Sequence, residues 1–221
     1  MWPLYDTYDI YLGEPGAPQQ RKLTSTPGYD AEATIDWHTG WMYFTSVRSG
    51  DLDIWRQNLN TGGVEQLTDE YGYDGGPFIS YDGKTVVYRR EFFKNQAERD
   101  DYAKLLKQDL YRPGNLELMV MNADGSGKRQ LTNNGASNFA PFLHPDNKTL
   151  IFCSNLHDPH GHSFELFIMP LSGGEPERVT YSDDFNGFPM FSPDGKCLAW
   201  CSDRNASMKY ETNVFLAEWV P

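Results

Sequence analysis

Short apolar runs alternate with turn-forming residues along most of this chain. The clearest example is residues 188–202, where the runs 188–191 and 197–202 flank the turn sequence Ser-Pro-Asp-Gly at 192–195. Proline presets φ, aspartate accepts hydrogen bonds from its own backbone and glycine tolerates positive φ, so this sequence predicts a tight turn. The flanking runs are rich in aromatic and aliphatic residues and too short for helices. The segment therefore predicts a β-hairpin.

The hairpin recurs along the chain, and each copy follows a Leu-Thr or Val-Thr pair. The threonines of these pairs are Thr24, Thr68, Thr132 and Thr180. Fourteen residues after each threonine comes the turn position, which holds His38, Asp82, Asp146 and Asp194. A third short strand follows in every repeat, and a fourth ends at the next such pair. Four antiparallel strands in a repeat of roughly 40–50 residues are the sequence signature of a β-propeller blade.

The repeat divides residues 1–221 into the parts of a single all-β propeller domain. Residues 1–24 match the last two strands of a blade, and residues 181–221 supply three strands. The full four-stranded blades are 25–68, 69–132 and 133–180. We expect the chain to be the C-terminal part of a six-bladed ring, whose first strands lie outside it.

The blade 69–132 is longer than the others because it carries an insertion at about 91–112. Asn95 followed by Glu98 resembles a capping box, which predicts the start of a helix. The apolar face of this helix would be formed by Ala97, Ala103, Leu105, Leu106 and Leu110. We expect one amphipathic helix near 95–111, ending before Pro113 and lying on the propeller. The alternative is that it only packs on the blade edge.

Charge and composition exclude several function classes. The formal net charge is −12 and there is no basic run, which argues against binding to nucleic acid or anionic lipid. No apolar run approaches the roughly 20 residues that a membrane helix needs. Residues 1–20 lack the basic start and apolar core of a signal peptide. The three cysteines, an odd number in predicted strands, indicate small core residues rather than a disulfide framework.

Several motifs resemble the repeat of TolB-like six-bladed β-propellers. The motifs are residues 189–196 with 202–204, and residues 121–125 with 129–132. Residues 28–34, 72–78 and 212–215 further resemble stand-alone bacterial exported proteins of this type. The resemblance covers essentially the whole chain. It implies a periplasmic or exported location, a signal and blades that precede this chain, and a non-enzymatic binding role without catalytic residues.

One end of the predicted blades gathers polar residues. The connection into the first strand and the connection from the second to the third strand emerge at the same end of a blade. Six residues after each threonine, immediately before the innermost strand, stand Asp30, Asp74, Asn138 and Asn186. Together with Glu32 they would surround the central opening and bind a protein segment or a small ligand. The alternative is that each residue bonds local backbone amides and holds its loop.

Two enzymatic alternatives stay open. The same five side chains carry the oxygen ligands that calcium prefers, which would suit a metal-dependent propeller hydrolase or lactonase. No other cofactor is indicated. The second alternative is a gating propeller of a prolyl-oligopeptidase-like peptidase, because such propellers carry a similar repeat. No hydrolase domain follows in this chain, and the nucleophile motif Gly-x-Ser-x-Gly is absent from it.

Two further features bear on metals and on self-association. The connection 155–162 holds His157, Asp158, His160 and His162, which are metal-binding residue types without the spacing of a closed site. We expect a solvated polar loop there. The strand at 8–12 and the last, incomplete blade would leave unpaired backbone edges, which favour self-association.

Overall fold

Nearly all regular structure in this protein is β-strand. The computed structural model describes residues 1–159, 161, 163–182, 184–209 and 211–220. In chain order the elements are β1 (Trp2–Pro3), β2 (Tyr11–Gly13), β3 (Gln20–Lys22), β4 (Asp30–Asp36), β5 (Trp41–Ser46), β6 (Asp53–Asn58), β7 (Val64–Gln66), β8 (Asp74–Ile79), β9 (Thr85–Glu91), α1 (Gln96–Leu106), β10 (Leu110–Tyr111), β11 (Leu116–Asn122), β12 (Arg129–Gln130), β13 (Asn138–Leu143), β14 (Thr149–Ser154), β15 (Glu165–Pro170), β16 (Glu177–Arg178), β17 (Asn186–Phe191), β18 (Cys197–Ser202) and β19 (Asn213–Glu218).

The strands pair in sequence order into antiparallel sheets. Three sheets have four strands, namely β4-β5-β6-β7, β8-β9-β11-β12 and β13-β14-β15-β16. Strands β17-β18-β19 form a three-stranded sheet, and β2-β3 form a hairpin. The first strand of each larger sheet contacts the first strand of the next, so these strands lie at the inner end of a radial arrangement. The chain is therefore an all-β propeller of antiparallel blades with one helix.

The blades form an open arc within the described part of the chain. No strand of the last sheet contacts the hairpin β2-β3 at the other end. The total of six blades stays a prediction, because five of the sheets in the described residues belong to the blade repeat and two of those five are incomplete.

The hydrophobic core lies between neighbouring sheets. Tyr43 and Ile54 of one sheet pack with Val86 and Tyr88 of the next. Val87 points to the opposite face of the same strand and joins the cluster shared with the following sheet. Central strands are therefore buried on both faces, which explains why their sequences read as continuous apolar runs rather than as an alternation.

Every inner strand contains a β-bulge two residues after its start. The residue at this point has positive φ in each case: Glu32 (58°), Gly76 (59°), Ala140 (49°) and Phe188 (54°). The register of the strand pair shifts there in all four sheets. Only one of these residues is glycine, although the left-handed conformation costs other residues roughly 1 kcal/mol. The bulge is therefore part of the blade geometry, and it re-aims the side chains near the opening.

The inserted helix begins where the sequence predicts it. Asn95 Oδ1 accepts a hydrogen bond from the Glu98 N–H at 3.0 Å, which confirms the N-cap. The Glu98 carboxylate reaches one residue further back than expected and accepts from the Lys94 N–H at 2.7 Å. No helix in the described part of the chain is long and apolar enough to cross a membrane.

The predicted end of the helix and part of its apolar face were wrong. The helix ends at Leu106, and the chain turns at Asp109 with a φ of 55°. Leu110 then lies in β10, which pairs with β1. Tyr102 and Leu105 are the buried residues of the helix, whereas Ala97 is exposed. Pairing with β1 holds the backbone of β10 in an extended conformation, which is incompatible with a further helical turn.

Candidate functional site

The connections that lead into the inner strands and those from the second to the third strands meet at one end of the sheets. We call this end the loop face, which comprises the described parts of 25–29, 47–52, 69–73, 92–115, 133–137, 155–164, 181–185 and 203–212. Hydrogen bonds join its loops. The Gly72 N–H donates to Asp51 at 2.9 Å, and Ser137 Oγ donates to the Gly114 carbonyl at 2.7 Å. The predicted convergence of these connections is therefore present.

Four of the five predicted site residues lie at the starts of inner strands and are buried. Their exposed fractions are 2% for Asp30 and 0% for Asp74, Asn138 and Asn186. Asn138 donates from Nδ2 to the Leu116 carbonyl at 2.8 Å and to Glu117 Oε2 at 3.2 Å, and it accepts from Ser154 Oγ at 2.8 Å. It also donates to Asn134 Oδ1 of its own loop at 3.0 Å, so its partners come from the preceding sheet, from its own sheet and from its own loop.

Asn186 repeats this arrangement one blade later. Its Nδ2 donates to Glu165 Oε2 at 3.0 Å, and its Oδ1 accepts from Trp200 Nε1 at 3.1 Å. The same Nδ2 donates to Ser182 Oγ of its own loop at 2.9 Å, which fits the alternative in which the polar residue holds its loop, although these partners are side chains rather than backbone amides. The residue does so by joining two blades, because the glutamate belongs to the preceding sheet.

A recurring acidic residue completes each of these clusters. Fifteen residues before the repeat threonines stand Asp9, Asp53, Glu117 and Glu165. Thr132 Oγ1 donates to Glu117 Oε2 at 2.6 Å and accepts from the Leu118 N–H at 2.8 Å. Thr68 makes the same two contacts, with Asp53 at 3.2 Å and with the Ile54 N–H at 2.8 Å. We call each such group an acid–threonine cluster. Sequence reasoning missed the acids, although their constant spacing was the available signal.

Asp30 and Asp74 differ in the contact that each carboxylate makes with a nearby arginine. Arg48 Nη2 donates to both carboxylate oxygens of Asp30 at 3.0 Å. For Asp74 the nearby cation is Arg90, whose Nε lies 3.9 Å from Oδ1. Neither oxygen of Asp74 has a hydrogen-bond partner among the described residues. Burial raises the pKa of Asp74 well above its usual range, although Arg90 opposes this.

Glu32 is the most accessible of the five residues, with 27% of its side chain exposed. It forms an ion pair with Arg89, and its Oε2 accepts from Thr45 Oγ1 at 2.9 Å and from the Gly76 N–H at 3.0 Å. Burial opposes ionisation of Glu32, but the charge of Arg89 and the bond from Thr45 outweigh it, so that its pKa is lowered. Tyr73 also donates to this carboxylate, at 3.2 Å. Glu32 is thus a fixed negative charge beside the innermost strands.

A cavity of about 540 Å³ lies beneath α1 on the loop face. Its walls include Glu91 and Tyr102 from the insertion side and Ser137 and Pro159 from the loops of the next blade. Glu91 is 9% exposed, and burial raises its pKa to about 7. The sequence predicted the helix above this space but not the space itself.

The structure does not assemble a metal site from the part of the chain that it describes. No group of three or more His, Cys, Asp or Glu side chains lies close enough together there to hold a metal ion. Asp30 and Glu32, two of the proposed calcium ligands, are instead paired with arginines. In the 155–162 connection, His160 and His162 lie outside the described residues.

Comparison with known protein families identifies the fold. The family model described as the TolB beta propeller domain matches residues 100–215, which is more than half of the chain. The chain belongs to the TolB beta propeller domain family. Its described relatives include an uncharacterized protein of Agrobacterium fabrum, 28% identical over 123 residues, which cover 54% of this chain and 41% of the relative.

Solved structures agree on the fold. Crystalline TolB of Acinetobacter baumannii superposes with a TM-score of 0.74 at 20% identity, covering 98% of this chain and 47% of that one. A protein described as TolB from Agrobacterium tumefaciens superposes with a TM-score of 0.62 at 18% identity. The match covers 96% of this chain and 66% of that one. A prolyl endopeptidase structure superposes with a TM-score of 0.58 at 14% identity. The match covers 86% of this chain and 28% of that one. At these identities the likeness concerns the fold alone, and the chain spans only part of each relative.

Proposed function

We propose that this TolB-like propeller is a non-enzymatic binding module of the cell envelope, whose loop face holds a protein segment or a small ligand. The fold suggests a binding module, and the family resemblance supports the envelope location. The observation that carries the proposal is the cavity of about 540 Å³ between α1 and the loops of the next blade. Cavities of this volume are typical of ligand sites, particularly where loops converge on a rigid scaffold.

The five predicted residues have different parts in this proposal. Glu32 does not line the cavity, so it would contact only a part of the ligand that reaches the central opening, where its side chain is partly exposed and its charge is fixed by Arg89. Asp30, Asp74, Asn138 and Asn186 would position the loops that surround the opening, since they are buried within the sheets. The double variant Asp30→Ala with Asp74→Ala separates this from direct binding. Loop positioning predicts a lower melting temperature with unchanged affinity per folded molecule, whereas direct binding predicts lost affinity in an intact fold.

The proposed site can be blocked from an exposed position. Ala97 lies on the cavity wall and is exposed on α1, so Ala97→Trp should fill the cavity while leaving the core in place. Lys104→Trp places the same ring on an exposed position of the same helix away from the cavity and is the matched control. Peptides from a random display library, selected on the unmodified chain, and members of a small-molecule fragment library would be measured against both variants by titration calorimetry.

We expect ligands selected on this chain to lose affinity for the Ala97→Trp variant and to keep it for Lys104→Trp. Equal binding to both variants would place the ligands elsewhere and overturn the assignment of the loop-face cavity. Failure to select any ligand would remove the support for a binding module.

A further inference from the structure

Glu91 is a buried carboxyl group without a cation. It ends β9, at the edge of the cavity, and its Oε2 has no hydrogen-bond partner among the described residues. Gly114 lies against the same side chain. A Cβ at that position would stand 2.6 Å from Glu91 Oε1, so the glycine leaves room for the carboxyl group. The local backbone thus accommodates a charge that nothing in the described chain neutralises.

The two acids nearest to Glu91 have partners of their own. Glu98 of α1 accepts from the Lys94 N–H at 2.7 Å, and Asp101 pairs with Arg112 at 2.9 Å. Burial is the largest cause of the raised pKa of Glu91, a hydrogen bond with Tyr111 opposes it, and these two carboxylates raise the pKa further. Tyr102 and Tyr111 are the other titratable groups that interact with it. The cavity wall also holds the cations Lys94 and Arg112, but within the described residues neither of them forms an ion pair with Glu91.

Two further polar atoms lie near this end of β9, and one of them already interacts with the carboxyl group. They are the hydroxyl oxygen of Tyr111 and the side-chain oxygen of Asn115. Tyr111 is fully buried and interacts with Glu91, and Asn115 lines the cavity. Tyr111 lies outside the cavity wall and its hydroxyl is already engaged with Glu91, so the oxygen acceptors that the wall offers to a ligand are Glu91 Oε2 and Asn115 Oδ1. An ammonium group has three donors and no acceptor, which fits this set.

We propose that the cavity beneath α1 binds a primary ammonium group, with Glu91 as its counter-ion. The inference rests on the proposed binding function and names the chemistry of the ligand. The ammonium group would come either from a lysine side chain of a protein segment or from a free small amine. Phe93, Tyr102 and Leu105 line the same cavity and provide apolar surface for the methylene groups that carry the ammonium.

Binding of an ammonium group should displace a proton. Burial raises the pKa of Glu91 to about 7, so that near neutral pH a large fraction of this carboxyl is protonated. A cation close to it favours the ionised form. Proton release on binding at pH 7 therefore accompanies the proposed contact, and it would not accompany an apolar contact elsewhere in the cavity.

Titration calorimetry with three probes tests the proposal. The probes are Nα-acetyl-lysine methylamide, n-butylamine, and Nα-acetyl-norleucine methylamide, which lacks the ammonium group. Each is titrated into the unmodified chain, into Glu91→Gln and into Glu175→Gln, an exposed acid at the opposite end of the blades. Buffers with different ionisation enthalpies report proton release.

We expect the lysine analogue to bind at least about tenfold more tightly than the norleucine analogue, with proton release at pH 7. Glu91→Gln should remove this preference, and Glu175→Gln should keep it. Binding of n-butylamine as well would identify free amines as a source, whereas binding of the lysine analogue alone would identify a protein segment. Either result supports the proposal.

Equal binding of the norleucine analogue, unchanged binding to Glu91→Gln, or binding of neither amine would overturn the ammonium site. The proposed function has a separate readout. If peptides without lysine bind and are blocked by Ala97→Trp, the binding module stands and the ammonium site fails. If Ala97→Trp blocks nothing, the cavity assignment itself fails.

Discussion

Replacing Glu91 by glutamine should make the protein more stable at neutral and alkaline pH. The carboxyl group is 9% exposed and lacks a cation, so ionising it in the folded state is costly. Glutamine has nearly the same shape and stays neutral at every pH. The substitution therefore removes the charge and leaves the packing against Gly114 and Tyr111 in place.

The size of the effect follows from the pKa of Glu91, which burial raises from an ordinary value of 4.5 to about 7. Because the folded state holds the proton more tightly, the contribution is fully present below pH 4.5 and is lost as pH rises through 7. At about 1.4 kcal/mol for each pH unit, the gap corresponds to about 3 kcal/mol. Glu91→Gln should thus match the unmodified chain at pH 4.5 and exceed it by up to about 3 kcal/mol at pH 8.

Urea denaturation followed by tryptophan fluorescence measures this difference, because the chain contains six tryptophans. The free energy of unfolding would be determined at half-unit steps between pH 4.5 and 8. The slope against urea should be the same in both proteins, since the buried surface does not change. Glu175→Gln, which removes an exposed carboxylate, should show no such pH dependence.

A stability difference that is the same at all pH values would refute the reasoning, because it would mean that Glu91 does not change its protonation between the folded and unfolded states. A destabilised Glu91→Gln at pH 8 would show that the charge already has a favourable partner.

Three other predictions follow from the sheets and their connections. Thr132→Val should destabilise the chain by about 2–4 kcal/mol in urea denaturation, because it leaves the Leu118 N–H and the Glu117 carboxylate without their buried partner. Exposed Thr61→Val is its control, and a similar loss there would contradict the assignment. Asp74→Asn should raise the melting temperature at pH 7, since the amide can donate to Asp53 as Asn138 does to Glu117, whereas Asp30→Asn should lower it by weakening the pair with Arg48. The isolated chain should self-associate in light scattering, because β19 is an unpaired edge whose Val214 and Leu216 are exposed. Glutamate at both positions should reduce this association, and a monomeric unmodified chain would contradict it.

The strands, turns and repeat could be predicted from the sequence because their causes are local. In the turn at 192–195, Asp194 Oδ1 accepts from Ser192 Oγ at 2.6 Å and from the Lys196 N–H at 3.1 Å, both within two residues of it. Asn95 caps α1 through a contact three residues away. The spacing of these signals sets the length of the repeat, and a repeat of four antiparallel strands is typical of a propeller blade.

The roles of the polar residues were decided by the tertiary structure. Asp30 and Asp74 occupy the same position in the repeat, yet one is bonded to Arg48 and the other has no hydrogen-bond partner among the described residues. Glu32 meets Arg89, a residue 57 positions away, and Glu91 is left without a cation beneath a helix. The physical reason is that a buried polar atom is stabilised or destabilised by the partners that it finds after losing water. In this protein many of those partners belong to a neighbouring blade, which no local pattern in the sequence specifies.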